Sequence, residues 1–284
     1  MKIQVVVSMF GEFMSPTSEK LQDWWNEMEM WATDLKVPPN EISGVFRQKP
    51  KGLISHNGYK LHRYRRRFAV QLKEKNIEGL ELMQVCSEER YKMFDWDFLG
   101  VYGPDHPAGT SFIVGISKDR LREVPHYSSA IFCEEVARRS RSYLSLKYGF
   151  AVAMPKDFMP GGYAFGIATT MPEELMYDAN AWAHYSNHKP WRAECDKTLR
   201  NVYGYNVLSA KHLNIYIGDQ RLEDWIITSS GRGRVEPLDK GLFLWTFQEG
   251  SDKEAFLSWD YPPVVRAREE LKQYKIFPWQ KLVR

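Results

Sequence analysis

The chain has 284 residues, of which 43% are hydrophobic and 26% are charged, and this composition excludes a wholly disordered protein. Its 39 basic and 36 acidic side chains leave a formal net charge of only +3, so charge does not draw the whole molecule to nucleic acid or to an anionic membrane. The three cysteines are widely separated and form no C-x-x-C pair, which excludes a disulfide framework and a zinc knuckle and favours a reducing compartment.

The N-terminal segment predicts a first strand. Met1–Phe10 is apolar apart from Lys2, Gln4 and Ser8, and no small-residue cleavage site follows it. No segment approaches the roughly 18 consecutive apolar residues that a membrane-spanning helix needs. We therefore expect a cytoplasmic protein without a membrane partner.

A helix is predicted after Ser15 and Pro16, which together are typical of a helix start. Its apolar side chains recur at steps of three and four residues: Leu21, Trp24, Trp25, Met28, Trp31 and Leu35. This spacing places them on one stripe, which we expect to face the core. The alternative is an exposed aromatic stripe that binds a partner.

Four short segments rich in aromatic and aliphatic residues predict an antiparallel sheet in the first half of the chain. They are Tyr59–Leu72, Leu80–Val85, Asp97–Tyr102 and Ser111–Ser117. The segment from Gly103 to Gly109 contains two prolines and predicts a loop. Charged residues and Pro125 then mark a domain boundary near residue 120.

The second half of the chain predicts a further mixture of helices and strands. In order, these are a helix capped by Ser128 and running to about Tyr148, a strand at Phe150–Met154, a loop through Met159–Gly162, a helix at Pro172–Asn187, strands at Val202–Ser209 and Leu213–Ile217, a helix at Leu222–Ile227, strands near Arg234 and at Leu242–Phe247, and a helix at Pro263–Tyr274. This order predicts an α+β fold, with antiparallel sheets flanked by helices. We expect two halves of similar size, residues 1–120 and 121–284.

The sequence contains no complete catalytic or metal-binding pattern. His184 and His188 have the i, i+4 spacing of two zinc ligands, but Tyr185 occupies the position where the metalloprotease pattern needs Glu. The Gly231–Arg234 segment lacks the further glycine of a phosphate-binding loop. We therefore expect no metal, no cofactor and no enzymatic activity. An enzyme whose site is dispersed along the chain remains an alternative.

The densest basic run of the chain lies between residues 60 and 68. It contains Lys60, His62, Arg63, Arg65, Arg66 and Arg67, with Tyr59, Tyr64 and Phe68 interleaved. Basic and aromatic residues mixed in this way are found in nucleic-acid-binding sheets. As a strand, however, the segment alternates between two faces and suits a solvated edge paired with acidic neighbours. Nucleic-acid binding is therefore an alternative function that we consider less favoured.

The helix after Met171 carries the best candidates for partner binding. Glu174, Asp178 and Trp182 are spaced four residues apart, so we expect them to share one helix face. Two carboxylates and an aromatic anchor on one face would suit a basic partner. The other interpretation is that these carboxylates stabilise the helix N-terminus.

An ordered pattern in the second half of the chain resembles a bacterial family of type VI secretion immunity proteins. The pattern consists of Arg200, Val202, Tyr203, Asn206, Leu208, Ser209, His212 and Leu213, followed by Gly218, Leu222, Trp225 and Ile226. Tyr148–Val152 upstream and Gly241–Trp245 downstream belong to the same resemblance. The resemblance implies an immunity protein that binds and neutralises a cognate secreted toxin in the cytoplasm of the producing cell. The resemblance also implies a nuclease as one candidate toxin. The basic substrate cleft of a nuclease would attract carboxylates.

Overall fold

The computed structural model describes residues 1–14, 18–48, 52–75, 77–86, 95–103, 111–167, 171–186, 195–239, 241–248, 254–277 and 280. Its strands are β1 Ile3–Phe13, β2 Glu41–Gln48, β3 Gly52–Lys60, β4 Ile77–Val85, β5 Trp96–Gly103, β6 Ser111–Ser117, β7 Leu144–Pro155, β8 Tyr205–Ser209, β9 Tyr216–Ile217, β10 Gln220–Arg221, β11 Arg234–Asp239 and β12 Leu242–Thr246. Its α-helices are α1 Ser18–Asp34, α2 Leu61–Lys73, α3 Lys118–Arg122, α4 Ser129–Ser140, α5 Pro160–Phe165, α6 Glu173–Ser186, α7 Ala210–Leu213, α8 Leu222–Ile227 and α9 Pro262–Lys272.

Ten of the strands form one antiparallel sheet, in the order β11-β12-β8-β7-β1-β6-β5-β4-β2-β3. The other two strands, β9 and β10, form a small separate ribbon. A large antiparallel sheet with helices packed against it confirms the predicted α+β class.

The sheet is continuous across the predicted boundary between residues 1–120 and 121–284. Strand β1 lies at its centre, because it pairs with β6 of the first half on one side and with β7 of the second half on the other. The pairing with β7 runs the whole length of β1, with one register shift after Phe10. The two halves therefore share one sheet.

Helices cover both faces of the sheet. On β5, the ring of Tyr102 lies 5.9 Å from the ring of Trp24 in α1. Leu99, which points to the opposite face because side chains alternate along a strand, lies against Gly161 of α5. Helix α4 lies on the α1 side, where Phe132 stacks on Trp31. Helix α6 lies on the α5 side, since it packs against α5.

The aromatic stripe of α1 faces the core, as predicted. Trp24, Trp25 and Trp31 are all buried. The Trp31 indole N–H donates to the Tyr127 hydroxyl at 3.2 Å, and the Arg139 guanidinium lies 4.5 Å from the Trp31 ring centroid. The alternative, in which this stripe binds a partner, is wrong.

The predicted strand Tyr59–Leu72 is wrong over most of its length. Only its first two residues belong to β3, and the remainder forms α2. Leu61, Phe68 and Leu72 are buried and Tyr64 is half-buried, so the apolar residues recur at helical steps of three and four. The helical spacing of the apolar residues, and not the local alternation of the arginines, therefore determines the secondary structure of this segment. Strand β2 and most of β3 are additional to the predicted elements.

Other predicted elements differ in their bounds. The Ser128 side chain caps α4 as expected, accepting from the Ile131 N–H at 3.3 Å. The helix ends at Ser140 and not near Tyr148, because β7 begins at Leu144. The predicted strand Leu213–Ile217 is shortened, because α7 ends at Leu213 and β9 contains only its last two residues.

The segment predicted as a loop at Met159–Gly162 begins helix α5. Met159 adopts a left-handed φ of 51° and Pro160 follows at the first helical position, where a proline costs no backbone hydrogen bond. A Cβ on Gly161 would lie 2.8 Å from Leu99 Cδ2. A glycine at this position therefore lets α5 approach the sheet closely. Among the described residues, no helix is long and apolar enough to cross a membrane.

Candidate partner-binding surface

Helix α6 does not present the predicted face to solvent. Asp178 is 1% exposed and Trp182 is 2% exposed, whereas Glu174 lies at the surface. The expectation that these three side chains share an exposed face is therefore wrong for two of them. Leu175 and Ala179 are also buried. The residues four and eight positions after Glu174, which are Asp178 and Trp182, therefore lie on the buried side of the helix.

Asp178 is buried because it belongs to a charged cluster inside the protein. Its Oδ1 accepts from Arg200 Nε at 3.4 Å, and its Oδ2 accepts from the hydroxyls of Tyr163 and Tyr203. A buried carboxylate needs a counter-charge and hydrogen-bond donors to offset its lost hydration. The cluster supplies both.

Arg200 joins α5 and α6 to the segment that leads into β8. Its Nη1 donates to the Ala164 carbonyl at 3.1 Å and its Nη2 to the Tyr163 carbonyl at 2.7 Å. These carbonyls lie in the last turn of α5, where a cation is favourable. The guanidinium also lies 4.3 Å from the Tyr163 ring centroid and 5.3 Å from that of Trp182.

The electrostatics of the cluster hold its tyrosines neutral and its arginine charged. Burial, together with the Asp178 charge, raises the pKa of Tyr163. Burial lowers the pKa of Arg200, but Asp178 and the surrounding tyrosines outweigh this effect and leave it raised. Arg200 is therefore charged and the tyrosines are neutral hydroxyl donors at physiological pH, and we interpret the cluster as structural.

Other residues of the Arg200–Leu213 pattern also have structural roles. The Asn206 amide accepts from the Tyr203 N–H at 3.1 Å and donates to the Tyr203 carbonyl at 2.6 Å. His212 Nδ1 accepts from the Ser209 N–H at 3.0 Å and so closes a capping box at the start of α7. Burial lowers the pKa of His212 to about 4, so its imidazole is neutral at pH 7. The pattern thus builds the scaffold of the second half.

The solvent-facing side of α6 is a different set of residues. Glu173, Tyr177, Asn180 and His184 are all exposed, at steps of three and four that place them on one stripe. Tyr177 is 45% exposed, and its hydroxyl donates to the Glu173 carboxylate at 2.8 Å. This hydrogen bond raises the pKa of Tyr177. We call these four residues the α6 stripe.

An open cleft lies beside the α6 stripe, between α6 and the end of α9. Its volume is about 440 Å³, and its lining residues are Glu173, Glu174, Tyr177, Lys272 and Gln280. Glu174 Oε1 forms an ion pair with Lys272 Nζ at 2.8 Å across the cleft. Gln280 Nε2 donates to the Lys272 carbonyl at 2.6 Å. The cleft therefore offers carboxylates, one ammonium group and an exposed aromatic ring in one place.

Sequence reasoning did not place Glu173 and Tyr177 on the exposed face of α6. The signal that identifies them is the buried triplet Leu175, Ala179 and Trp182, whose helical spacing sets the core side. Glu173 and Tyr177 fall opposite this side. Asp178 was taken to be exposed because it is a carboxylate. The predicted exposed face of α6 therefore differs from the observed one by about one residue.

The structure describes only one of the two histidines that were considered as metal ligands. His184 is exposed on α6, and His188 lies outside the described residues. In the part of the chain that is described, no group of three His, Cys, Asp or Glu side chains is placed to hold a metal ion.

No protein-family model matches this sequence, and no curated protein matches it. Among solved structures, the chain is similar to the Pseudomonas aeruginosa T6SS protein PA0821. The TM-score is 0.42 and the sequence identity is 12%, and the alignment covers 97% of this chain and 73% of that chain.

Proposed function

We propose that this chain is an immunity protein that binds and neutralises a toxin of the type VI secretion system, and that the α6 stripe with its adjoining cleft is part of the binding surface. The observation that carries the proposal is the exposed pairing of Tyr177 with Glu173 beside the open cleft. The resemblance of the Arg200–Leu213 pattern to immunity proteins supplies the class of partner.

The chemistry of the surface suits a basic protein partner. Tyrosine is enriched among the residues that dominate binding energy at protein interfaces, because its ring supplies contact area at low entropic cost. The carboxylate of Glu173 would attract a basic cleft and speed association. A nuclease toxin is one partner of this kind, since its substrate cleft must attract phosphates.

The cluster beneath the stripe holds it in place. Asp178 and Trp182 lie on the buried side of α6, within two residues of Tyr177 and His184, and contacts with Arg200 fix them. A stripe mounted on a rigid helix loses little conformational entropy when a partner binds, and preorganisation of this kind raises affinity. The stripe alone is smaller than the roughly 800 Å² per partner of a standard interface, so neighbouring residues would have to complete the surface.

Co-expression with the product of a neighbouring toxin gene tests the proposal. The tagged chain should co-purify with that protein in a fixed ratio and should restore growth to cells that express it. An inactive toxin variant should co-purify equally well, because neutralisation here is binding and requires no turnover. A chain that neither co-purifies with the toxin nor protects cells would contradict the proposal.

A further inference from the structure

The outward face of α2 concentrates positive charge. The helix contains Arg63, Arg65, Arg66, Arg67 and Lys73 and no acidic residue. Leu61, Phe68 and Leu72 are buried, whereas Arg63, Arg66 and Arg67 are exposed. At 100° per residue, these three arginines point directly away from the core. The helix therefore projects three guanidinium groups into solvent from one face.

Two acidic groups near α2, Glu29 and Glu41, are already paired with other cations. Glu29 of α1 pairs with Arg65, which also lies over the Trp25 ring, and Glu41 of β2 pairs with Lys60 at 2.9 Å. In the described part of the chain, Arg63, Arg66 and Arg67 have no carboxylate partner. Their placement in the first two turns adds their charge to the positive end of the helix dipole, which destabilises the helix unless an anion is bound.

The arginines are spaced to reach a row of phosphates. Arg66 and Arg67 lie three and four residues from Arg63, and residues at these spacings on a helix lie about 5–6 Å from one another. Long arginine side chains can widen this distance to the spacing of successive phosphates. The guanidinium group binds phosphate oxygens in a bidentate manner. The carboxylates of a folded acidic protein are not held in such a row, so a nucleic acid fits these arginines better than an acidic protein does.

An aromatic platform lies beside the arginines. Tyr59 at the end of β3 and Tyr64 of α2 are both half-buried, and their ring centroids are 4.4 Å apart with the planes tilted by 50°. Aromatic rings next to basic side chains are what single-stranded nucleic acids use, because unpaired bases stack on them. Base pairs in a duplex are stacked on one another and cannot do so.

We propose that the α2 face binds single-stranded nucleic acid, with Arg63, Arg66 and Arg67 on successive phosphates and Tyr64 against a base. This function is separate from toxin binding and does not depend on it. From the sequence, a solvated strand was favoured over nucleic-acid binding for this segment. That argument no longer applies, because the segment is a helix.

Fluorescence anisotropy with labelled RNA and DNA strands of about 12 nucleotides tests this proposal, since such a length covers a typical single-strand site. For three phosphate contacts the affinity should fall about twentyfold between roughly 50 and 200 mM salt. The variant with Arg63→Gln, Arg66→Gln and Arg67→Gln should bind at least about tenfold more weakly at low salt and lose most of that salt dependence. Tyr64→Leu, which keeps the packing of the ring position, should weaken binding at least about fivefold.

A matched control separates local binding from net charge. Arg122, Arg138 and Arg221 are exposed arginines that pair with Asp119, Glu135 and Asp224 within their own helices or turns. Changing these three to Gln removes the same charge and should leave the affinity within about twofold, because they lie outside α2. An equal loss in this control would overturn the assignment to α2.

Two further outcomes would also overturn the proposal. The first is the absence of any binding at about 50 mM salt. The second is binding of poly-glutamate but of neither nucleic acid, which would make the face a docking surface for an acidic protein. Equal affinity for a duplex, together with no effect of Tyr64→Leu, would contradict the single-strand assignment. None of these measurements involves the toxin, so their outcome leaves the proposed function unaffected.

Discussion

Arg200 and Asp178 form an ion pair inside the protein, with Nε donating to Oδ1 at 3.4 Å and both side chains almost completely inaccessible to water. The pair also fixes the position of α6 relative to α5, because Arg200 binds two carbonyls in the last turn of α5. Two consequences follow. Asp178 is unavailable to a partner, and the stability of the second half depends on this residue.

Asp178→Ala should lower the free energy of unfolding by about 3–5 kcal/mol, because it leaves the buried Arg200 charge without its counter-ion. Chemical denaturation measures this value. Asp178→Leu combined with Arg200→Met should cost less than the sum of the two single changes, because it removes both charges together. A single Asp178→Ala variant that unfolds like the wild type would contradict the buried pair.

Trp24→Ala should lower the free energy of unfolding by about 3–5 kcal/mol, since the indole is fully buried between α1 and the sheet. Met30→Ala on the same helix is the control, because Met30 is mostly exposed and should change stability by no more than about 0.5 kcal/mol. Thermal melting of both variants checks the prediction. Similar losses at the two positions would show that α1 is packed differently.

The pH dependence of stability should contain a contribution from His212. Burial lowers its pKa from the usual 6.5 to about 4 in the folded protein, so the unfolded chain binds the proton more tightly. Stability from this residue is complete above pH 6.5 and is lost as the pH falls to 4. At about 1.36 kcal/mol per pKa unit, the loss amounts to about 3 kcal/mol.

The His212 contribution is measured as the difference in unfolding free energy between the wild type and His212→Gln across this pH range. The difference is needed because Glu81 acts in the opposite direction. Burial raises the pKa of Glu81 to about 7, so its contribution is present below pH 4.5 and is lost as the pH rises to 7. A wild-type minus variant difference that does not change with pH would show that His212 is not neutralised by folding.

Sequence reasoning succeeded where the deciding interactions are local. Helix Leu222–Ile227 and strand Ser111–Ser117 have the predicted bounds, because turn residues and periodicity within a few residues determine them. The Ser128 cap is determined in the same way by its own first turn. The large antiparallel sheet followed from the density of short apolar segments.

The failures arose where a distant residue decides the outcome. Asp178 was assigned to the surface because an isolated carboxylate is seldom buried, and its partner Arg200 lies 22 residues further along the chain. In α2, the buried positions 61, 68 and 72 and the half-buried position 64 have helical spacing, but a run of arginines that resembles a strand pattern obscured it. The exposed face of α6 therefore becomes visible only from the burial of its residues in the structure.

The affinity for the toxin of the proposed function tests the central claim most directly. Titration calorimetry would compare the wild type with Glu173→Lys combined with Tyr177→Ala. The control carries Asp219→Lys and Tyr216→Ala, an exposed pair on the small β9–β10 ribbon. We expect the α6 variant to melt like the wild type and to bind at least about tenfold more weakly, while the control keeps its affinity within about twofold. Unchanged affinity of the α6 variant, or an equal loss in the control, would contradict the assignment of the toxin-binding surface to α6.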